Sequence, residues 1–520
     1  MVAGVRVEAV LELRRLANDF IEAARAYHET TKHSYTSVRS SPHFLDWDNR
    51  PMPYKIYPGA AAIALPRDLN LSRVPALSAI DSDAPIDPVS TCDISALTRI
   101  LFCADGLTRR KSFDGEEYHF RATPSAGALY PIEVYVAAAD VADVEAGLYH
   151  FSPADLRMAG LRRGDWREYI ARAAAACPSI LRARALIILT SIFWRSAWKY
   201  RARAYRYCFW DAGTMLANLF AAAAAEGLSA EVITAFEDPA LERLLGVDGE
   251  HEGAVAIVAL GDTGAAAGSS PDAAPLALES IPISAGKVVY DAIVNMHRES
   301  RLVESGEVRK IARPAIEPIE ERPDDKLIHI ASLSPSDSLA LGETVIRRGS
   351  TRAFAQAALP ASELATIMAA SNGHPRSDFP RLTDTYLIVN AADGLEPGAY
   401  YYNRVARGFE LLKAGSFRGE ACYLCLEQPL GMDCSVLIVY MADLERALKA
   451  LGNRGYRDAH LESGILGGRA YLAAFSLGRG ATGLTFYDDD TAKFFAPHAI
   501  GKSPILMVAL GIPRSQSKAR

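Results

Sequence analysis

Residues 203–213 read Arg-Ala-Tyr-Arg-Tyr-Cys-Phe-Trp-Asp-Ala-Gly, and residues 454–464 read Arg-Gly-Tyr-Arg-Asp-Ala-His-Leu-Glu-Ser-Gly. Tyr205 and Tyr456 stand 251 positions apart, as do Arg206 and Arg457, and Gly213 and Gly464. The same offset recurs outward from this pair. It relates Gly227 to Gly478, and Gly147-Leu-Tyr-His-Phe151 to Gly398-Ala-Tyr-Tyr-Tyr402. Two apolar runs then end at Gly261 and Gly511, an offset of 250 that records one deletion. Several matched blocks in one order over such a distance are the signature of an internal repeat. The 520 residues, too many for one ordinary core, are two copies of one domain.

Within each copy the hydrophobic period alternates. Ile132–Ala138 and Tyr386–Ala391 read as strands, and Leu186–Thr190 and Val436–Tyr440 as buried apolar strands. Asp211–Gly227 and Glu462–Gly478 are alanine-rich and closed by glycine, as helices are. Ala254–Leu260 and Ile505–Leu510 are apolar terminal strands. Strands interleaved with long helices predict an α+β or α/β sandwich. Gly261–Ser284 is rich in Gly, Ala, Ser and Pro without a sustained period, and reads as a linker or long surface loop. Pro66–Val89, rich in Pro, Ser and Asp, separates an N-terminal segment from the first periodic block.

Composition excludes several classes. The 56 basic and 62 acidic side chains leave a net charge of −6, against the basic excess of a sequence-blind nucleic-acid binder. Seven cysteines at irregular spacing suit a reducing cytosol better than a disulfide framework. The first 28 residues mix apolar and charged side chains at helical spacing and lack a signal-peptide core. No apolar run reaches the roughly 18 residues of a membrane span. The expected protein is soluble and cytoplasmic. Cys422, Cys425 and Cys434 lack the second ligand pair of a structural zinc site, and read as buried small hydrophobes. Asp488-Asp-Asp490 reads as a solvated turn, and His28 and His33 as local hydrogen-bonding groups. No metal is expected. Gly478-Arg-Gly-Ala-Thr-Gly483 matches a dinucleotide fingerprint, but a helix precedes it and a strand follows, the reverse of the required order.

Three stretches carry chemistry. In Val345–Phe354, Arg348, Ser350 and Arg352 alternate, so that in an extended chain they fall on one side. Two guanidiniums and a hydroxyl suit a phosphate dianion, although a solvated basic stretch has the same composition. In Arg121–Pro131, Pro124, Ser125, Ala126, Gly127 and Ala128 form a stiff small-residue loop on which a flat ligand can lie, or an ordinary turn before a strand. Lys199 and Tyr200 stand among four basic residues in Trp198–Arg206. Neighbouring cations lower a lysine's pKa and an adjacent tyrosine can relay a proton, although an exposed basic helix start looks the same.

Together these motifs resemble the nitroreductase-like flavoproteins, specifically the SagB/ThcOx-type dehydrogenases. That group shares the PSAGALYP loop, the Lys-Tyr followed by R-x-Y-R-Y, the aspartate–glycine helix and the terminal apolar strand. The resemblance covers about 89–261 closely and about 341–514 more loosely. Tyr27–Ser34, Asp46–Pro51 and Tyr54-Lys55 also resemble the group's leader region. It implies an N-terminal leader (1–88), a first domain (89–261), a linker (262–325) and a second domain (326–520). Each domain would be an α/β sandwich with a mainly antiparallel sheet flanked by helices, the two forming an intramolecular pseudo-dimer of α+β class. It further implies an FMN enzyme in which one subunit holds the phosphate with an Arg-x-Ser-x-Arg motif and the other supplies the Pro-Ser loop.

The motifs survive unequally. The arginine-serine motif is intact in copy two, whereas Ala79–Pro88 upstream of copy one lacks it; the small-residue loop is intact in copy one and lost at Pro375–Leu382. Ala450 and Leu451 stand where copy one has Lys199 and Tyr200. One composite FMN site per chain is therefore expected. The resemblance gives Lys199 and Tyr200 catalytic roles, and the turn Gly483, Leu484, Thr485 backbone contacts to the flavin. Ala202 and Ala204 stand where the group often has Gly, which leaves loop shape and substrate fit open. The implied activity is a two-electron oxidation, of azoline rings in a peptide-like natural product, alone or with biosynthetic partner proteins and without nucleic acid or membrane. Two alternatives remain: an NAD(P)H-dependent nitro or quinone reductase, and a non-catalytic flavin-fold scaffold.

Overall fold

The computed structural model describes residues 17–40, 43–80, 91–113, 116–312 and 326–514. The helical spacing of residues 1–16, most of the Ala79–Pro88 stretch and the last part of the expected linker, 313–325, lie outside them. Two seven-stranded sheets are built on one plan. The first runs Ala62–Ala64, Arg157–Arg163, Gly147–Ser152, Ile132–Ala138, Ala185–Ile192, Glu252–Leu260, Ala230–Ile233. The second runs Leu327–Ile328, Gly408–Ala414, Gly398–Asn403, Thr383–Val389, Val436–Ala442, Ser503–Gly511, Gly480–Leu484. Every pairing within both is antiparallel. The central strands are apolar and buried along their length because helices cover both faces of the sheet. The fold is α+β, as expected, with two sandwiches of one plan in one chain.

The two quoted repeats open the two longest helices, Ala204–Ala225 and Arg454–Ser476, which start earlier than the alanine content alone predicted. They cross at Gly213 and Gly464. A Cβ built on Gly213 would stand 2.4 Å from the Leu461 carbonyl oxygen and 2.6 Å from the Gly464 Cα. One on Gly464 would stand 2.6 Å from the Trp210 carbonyl oxygen. Only paired glycines permit this backbone approach, and their spacing of 251 is the register of the pseudo-dimer.

The arginines beside each crossing are exchanged between copies. Arg203 and Arg206 of copy one donate to Asp488 of copy two, at 2.9 and 2.8 Å. Reciprocally, Arg454 and Arg457 of copy two pair with Asp238 of copy one. All six side chains are buried. The reading of Asp488 as part of a solvated turn is therefore corrected: it is fully enclosed, and the two arginines hold its carboxyl below its usual range despite burial. Removing one partner of such a pair costs about 3–5 kcal/mol, because an uncompensated buried charge remains.

The leader and the linker take part in the same symmetry. Helix Glu22–Thr30 and helix Asp291–Glu299 stand 269 positions apart. His28 Nδ1 lies 3.3 Å from Tyr456 Oη, and His297 Nδ1 lies 3.2 Å from Tyr205 Oη. His33 exchanges its backbone N–H and C=O with Asp488, and Leu302 does the same with Asp238. The sequence repeat is too faint here to be read without these contacts.

Candidate active site

A cleft of about 370 Å³ opens between the copies. This is the size range of small-molecule and cofactor sites. Copy one contributes Pro124, Ser125, Ala126 and Gly127, then Lys199 and Tyr200, then Tyr207, Trp210, Asp211 and Thr214 from one face of its long helix. Copy two contributes Ser350 and Arg352, Gln428, Gly467 and Tyr471, and Thr482 to Thr485 at the end of strand Gly480–Leu484. The sequence-derived residues that line it are thus Pro124–Gly127, Lys199, Tyr200, Ser350, Arg352 and Gly483–Thr485. Ala128 closes the loop without lining the cleft.

Arg348 is placed differently. Its side chain is buried, and it donates from Nε to the Ala122 carbonyl (2.8 Å) and from Nη2 to the Arg121 carbonyl (2.9 Å). It thereby ties copy two to the backbone that leads into the small-residue loop, and it does not line the cleft. Arg109 of copy one stands beside the same arginine-serine segment, with its guanidinium nitrogens 3.7 and 3.8 Å from where a Gly349 Cβ would be. Nothing in the sequence marked Arg109, because it sits on the hairpin Leu107–Phe113 of the other copy.

The loop owes its shape to one carboxylate. Asp211 accepts from Ser125 Oγ at 2.6 Å and from the Ala126 amide at 3.1 Å, and Ser125 Oγ in turn accepts the Tyr130 amide. Thr214 Oγ1 bonds the Pro124 carbonyl one turn along the same helix. Gly127, Ala128 and Tyr130 all have positive φ, a conformation costly for the last two and sustained only by this surrounding structure. A Cβ on Gly127 would approach Tyr200 Oη to 2.8 Å, so glycine lets the loop lie against the Lys-Tyr pair. Burial pushes the Asp211 carboxyl up to about 7, against the two donated hydrogen bonds. Asp211 was read from the sequence only as part of a helix; its partner lies 86 residues away.

Lys199 and Tyr200 end the helix Phe193–Tyr200. Tyr200 packs on Tyr207 with ring centroids 4.3 Å apart. Partial burial lowers the Lys199 ammonium's pKa, and Arg352 from copy two and Arg50 from the leader lower it further. Burial raises that of Tyr200, which stays a neutral hydroxyl. Opposite shifts on adjacent groups separate a proton acceptor from a proton donor. The Trp210 indole N–H is buried on the cleft wall without a partner among the described residues.

The pseudo-symmetric position is built shut. Pro375–Asp378 stands at the offset of Pro124–Gly127, and there the loop bonds directly to the strand edge. The Val232 amide donates to the Arg376 carbonyl (3.0 Å) and the Asp378 amide to the Val232 carbonyl (3.2 Å). The Asp378 carboxylate takes the Thr234 and Ala235 amides at 2.9 and 2.8 Å. Val232 to Thr234 are the counterparts of Gly483 to Thr485, whose edge faces the open cleft. Leu451, where copy one has Tyr200, is fully buried.

No helix among the described residues is long and apolar enough to cross a membrane, and no cluster of three metal-ligating side chains occurs among them. The nitroreductase family pattern matches residues 87–262 and 345–512. A nitroreductase-like protein of Methanocaldococcus jannaschii is 30% identical over 156 residues, 30% of this chain and 75% of that protein. The trifolitoxin-processing protein TfxB of Rhizobium leguminosarum bv. trifolii is 30% identical over 171 residues. That match spans 32% of this chain and 45% of TfxB, less than half its length. A crystal structure of a nitroreductase-like protein from Anabaena variabilis superposes with a TM-score of 0.76 at 29% identity. It covers 95% of this chain and 99% of its own, so the same two-copy plan recurs whole. With its pattern matched twice, once in each copy, the chain belongs to the nitroreductase family and carries two of that family's domains in tandem.

Proposed function

We propose that this protein is an FMN-dependent dehydrogenase of SagB type that removes two electrons from an azoline-like ring on a peptide-like substrate. The observation that carries the reading is the composite cleft, to which each copy brings the parts the other has lost. The cleft fits the cofactor on three counts. The loop presents only small side chains, Ser350 and Arg352 offer a hydroxyl and a guanidinium, and the buried Trp210 N–H has no partner among the described residues. Arg352 and Ser350 would hold the phosphate, and the Ser125–Gly127 loop and the strand edge at Gly483 to Thr485 would bracket the ring. When bound, a flavin supplies the two-electron acceptor.

The protein's own residues handle the proton. Lys199 in its neutral form takes the proton from one ring carbon as a hydride leaves the neighbouring ring atom, so that a double bond forms between the two, and its lowered pKa makes that form accessible nearer neutrality. Tyr200, held on Tyr207, donates a hydrogen bond to the substrate heteroatom. Asp211 fixes the loop against which the substrate would lie. The likeness to a trifolitoxin-processing protein supports a peptide-like substrate, and partner proteins of a maturation complex belong to the same proposal. The closed pseudo-symmetric position supports one flavin per chain.

Purified holoprotein titrated with FMN should saturate at one flavin per polypeptide by absorbance against protein mass, and two would refute the composite site. Turnover with an azoline-bearing peptide and oxygen should reoxidise the flavin. Rapid turnover confined to NAD(P)H with nitro or quinone acceptors would assign a reductase instead. Protein that takes up no flavin would leave a scaffold.

A further inference from the structure

Three guanidiniums gather about one five-residue stretch at the start of copy two. Arg348 and Arg352 belong to the stretch itself, and the third, Arg109, reaches it from copy one and stands against Gly349. The approach depends on an irregularity in the hairpin Leu107–Phe113 and Glu116–Arg121. Leu107 pairs with Arg121, but Arg109 takes the place opposite Phe120 that a regular ladder gives to Thr108. A bulge of this kind re-aims the side chains beside it. The same hairpin is held from the other side, because Arg348 of copy two donates to the Arg121 and Ala122 carbonyls. Two arginines therefore cross the interface here in opposite directions.

The charges are unbalanced. Among the described residues no carboxylate lies within ion-pair distance of Arg109, Arg348 or Arg352, whereas their chain neighbours Arg110 and Arg347 pair with Glu117 and Glu343. Other buried arginines are matched in the same way, Arg121 by Asp105 and Arg195 by Glu133. Burial lowers the Arg348 pKa, and the nearby Arg109 charge lowers it further. Like charges held together inside a protein are unfavourable, and a bound anion offsets the cost. Ser350, between Arg348 and Arg352 in the chain, lines the cleft with Arg352 and adds a hydroxyl donor.

We propose that Arg109 completes an anion seat shared by the two copies, so that the phosphate monoester of the cofactor is held by Ser350 and Arg352 from copy two and by Arg109 from copy one. The inference rests on the FMN reading above and adds to it a residue from the copy that supplies the small-residue loop. A phosphate dianion suits the seat because planar guanidiniums donate paired hydrogen bonds to its oxygens from different directions. Riboflavin has the same ring and no phosphate, so Arg109 serves the choice between the two flavins.

The test measures dissociation constants of FMN and riboflavin by fluorescence titration of the flavin-free full-length protein. Arg109→Ala should weaken FMN about tenfold or more, the scale of one lost charge-assisted hydrogen bond, and leave riboflavin within about twofold. Arg109→Lys, which keeps the charge and loses the fork, should weaken FMN less, and it gives a second reading should Arg109→Ala lower the thermal midpoint. Arg110→Ala, the next residue on the exposed side of the hairpin, is the control and should change neither flavin. Equal loss of both flavins in Arg109→Ala would make the residue structural and overturn the proposal. So would an unchanged FMN constant in a protein whose parent binds FMN. Competition by inorganic phosphate that Arg109→Ala weakens, with FMN itself unaffected, would assign the seat to a free anion and also overturn it. A parent that binds neither flavin would overturn the FMN reading, and this inference with it.

Discussion

Gly213→Ala places one methyl group at the point on which the whole assembly turns. Judged by local propensity alone, the change should help, because alanine in a helix interior is favoured over glycine by about 1 kcal/mol. The tertiary contact opposes it. The new Cβ would meet the Leu461 carbonyl oxygen at 2.4 Å and the Gly464 Cα at 2.6 Å, where unstrained carbon contacts lie at about 3.5–4 Å. Both obstacles are backbone, so no rotamer change relieves them, and the two helices must part by about 1 Å. Overpacking of this kind costs about 1–3 kcal/mol, occasionally more. The upper end applies here, and subtracting the propensity gain leaves a net loss of about 2 kcal/mol. With a urea m-value of about 2–3 kcal/mol/M, the unfolding midpoint should fall by about 0.7–1 M. Tyr207, Trp210 and Asp211 on one helix and Gly467 and Tyr471 on the other all line the cleft. Flavin retention should therefore weaken in step with stability. Gly306→Ala is the control, a helical glycine with nothing within 4 Å of its would-be Cβ. It should stabilise by up to about 1 kcal/mol. If Gly213→Ala is as stable as the parent, or moves with Gly306→Ala, the close crossing of the helices is refuted.

Lys199→Ala should keep its flavin and lose substrate oxidation by about 10²-fold or more, the scale of a general base, and unchanged single-turnover flavin reduction would remove Lys199 from the mechanism. Because the Lys199 pKa is lowered, the rising limb of the pH–rate profile should fall below the ordinary lysine value of about 10.4, and it should disappear in Lys199→Arg. Arg352→Ala should release flavin into the flow-through of a desalting column without lowering the apoprotein's midpoint. Arg348→Ala should instead destabilise the apoprotein, by about 1–3 kcal/mol, because the buried Arg121 and Ala122 carbonyls each lose a donor. Equal midpoints for the two apoproteins would contradict the separation of their roles. Asp211 titrates near 7 in the folded chain instead of near 4, so the native state holds the proton more tightly than the unfolded state does. Its contribution is therefore present below pH 4 and is lost as pH rises towards 7, by ~4 kcal/mol at most. The apoprotein of Asp211→Asn should lack this part of the pH dependence in urea unfolding, and an unchanged slope between pH 4 and 7 would count against the assignment.

Much of the site was legible because its motifs are local. Arg348, Ser350 and Arg352 occupy five consecutive positions, Pro124–Ala128 is a continuous loop, and Lys199 and Tyr200 are adjacent. Residue types in such short spans announce their chemistry without a fold. Asp211, Tyr207, Trp210 and Tyr471 escaped because each is one apolar or acidic residue in a long buried helix. Their meaning comes only from facing the cleft. Asp488 was misread for the same reason: three consecutive aspartates look solvated until two arginines from the other copy are seen to enclose the first.

The doubling of the chain, the α+β alternation and the complementary loss of motifs were properties of the sequence by itself. Repeats, periods of 2 and 3.6, and missing residues are all one-dimensional quantities. Only the tertiary structure decided how the copies meet. Glycines 251 positions apart touch backbone to backbone, and aspartates pair with arginines of the opposite copy. The leader and linker helices also fall into one symmetry despite sharing few residues. It also decided that Arg348 braces a loop instead of facing the cleft, and that the second loop closes on its own strand. The physical reason is common to all of these. They depend on which buried groups satisfy one another across the interface, and contacts between residues hundreds of positions apart leave no period or spacing for a sequence to display.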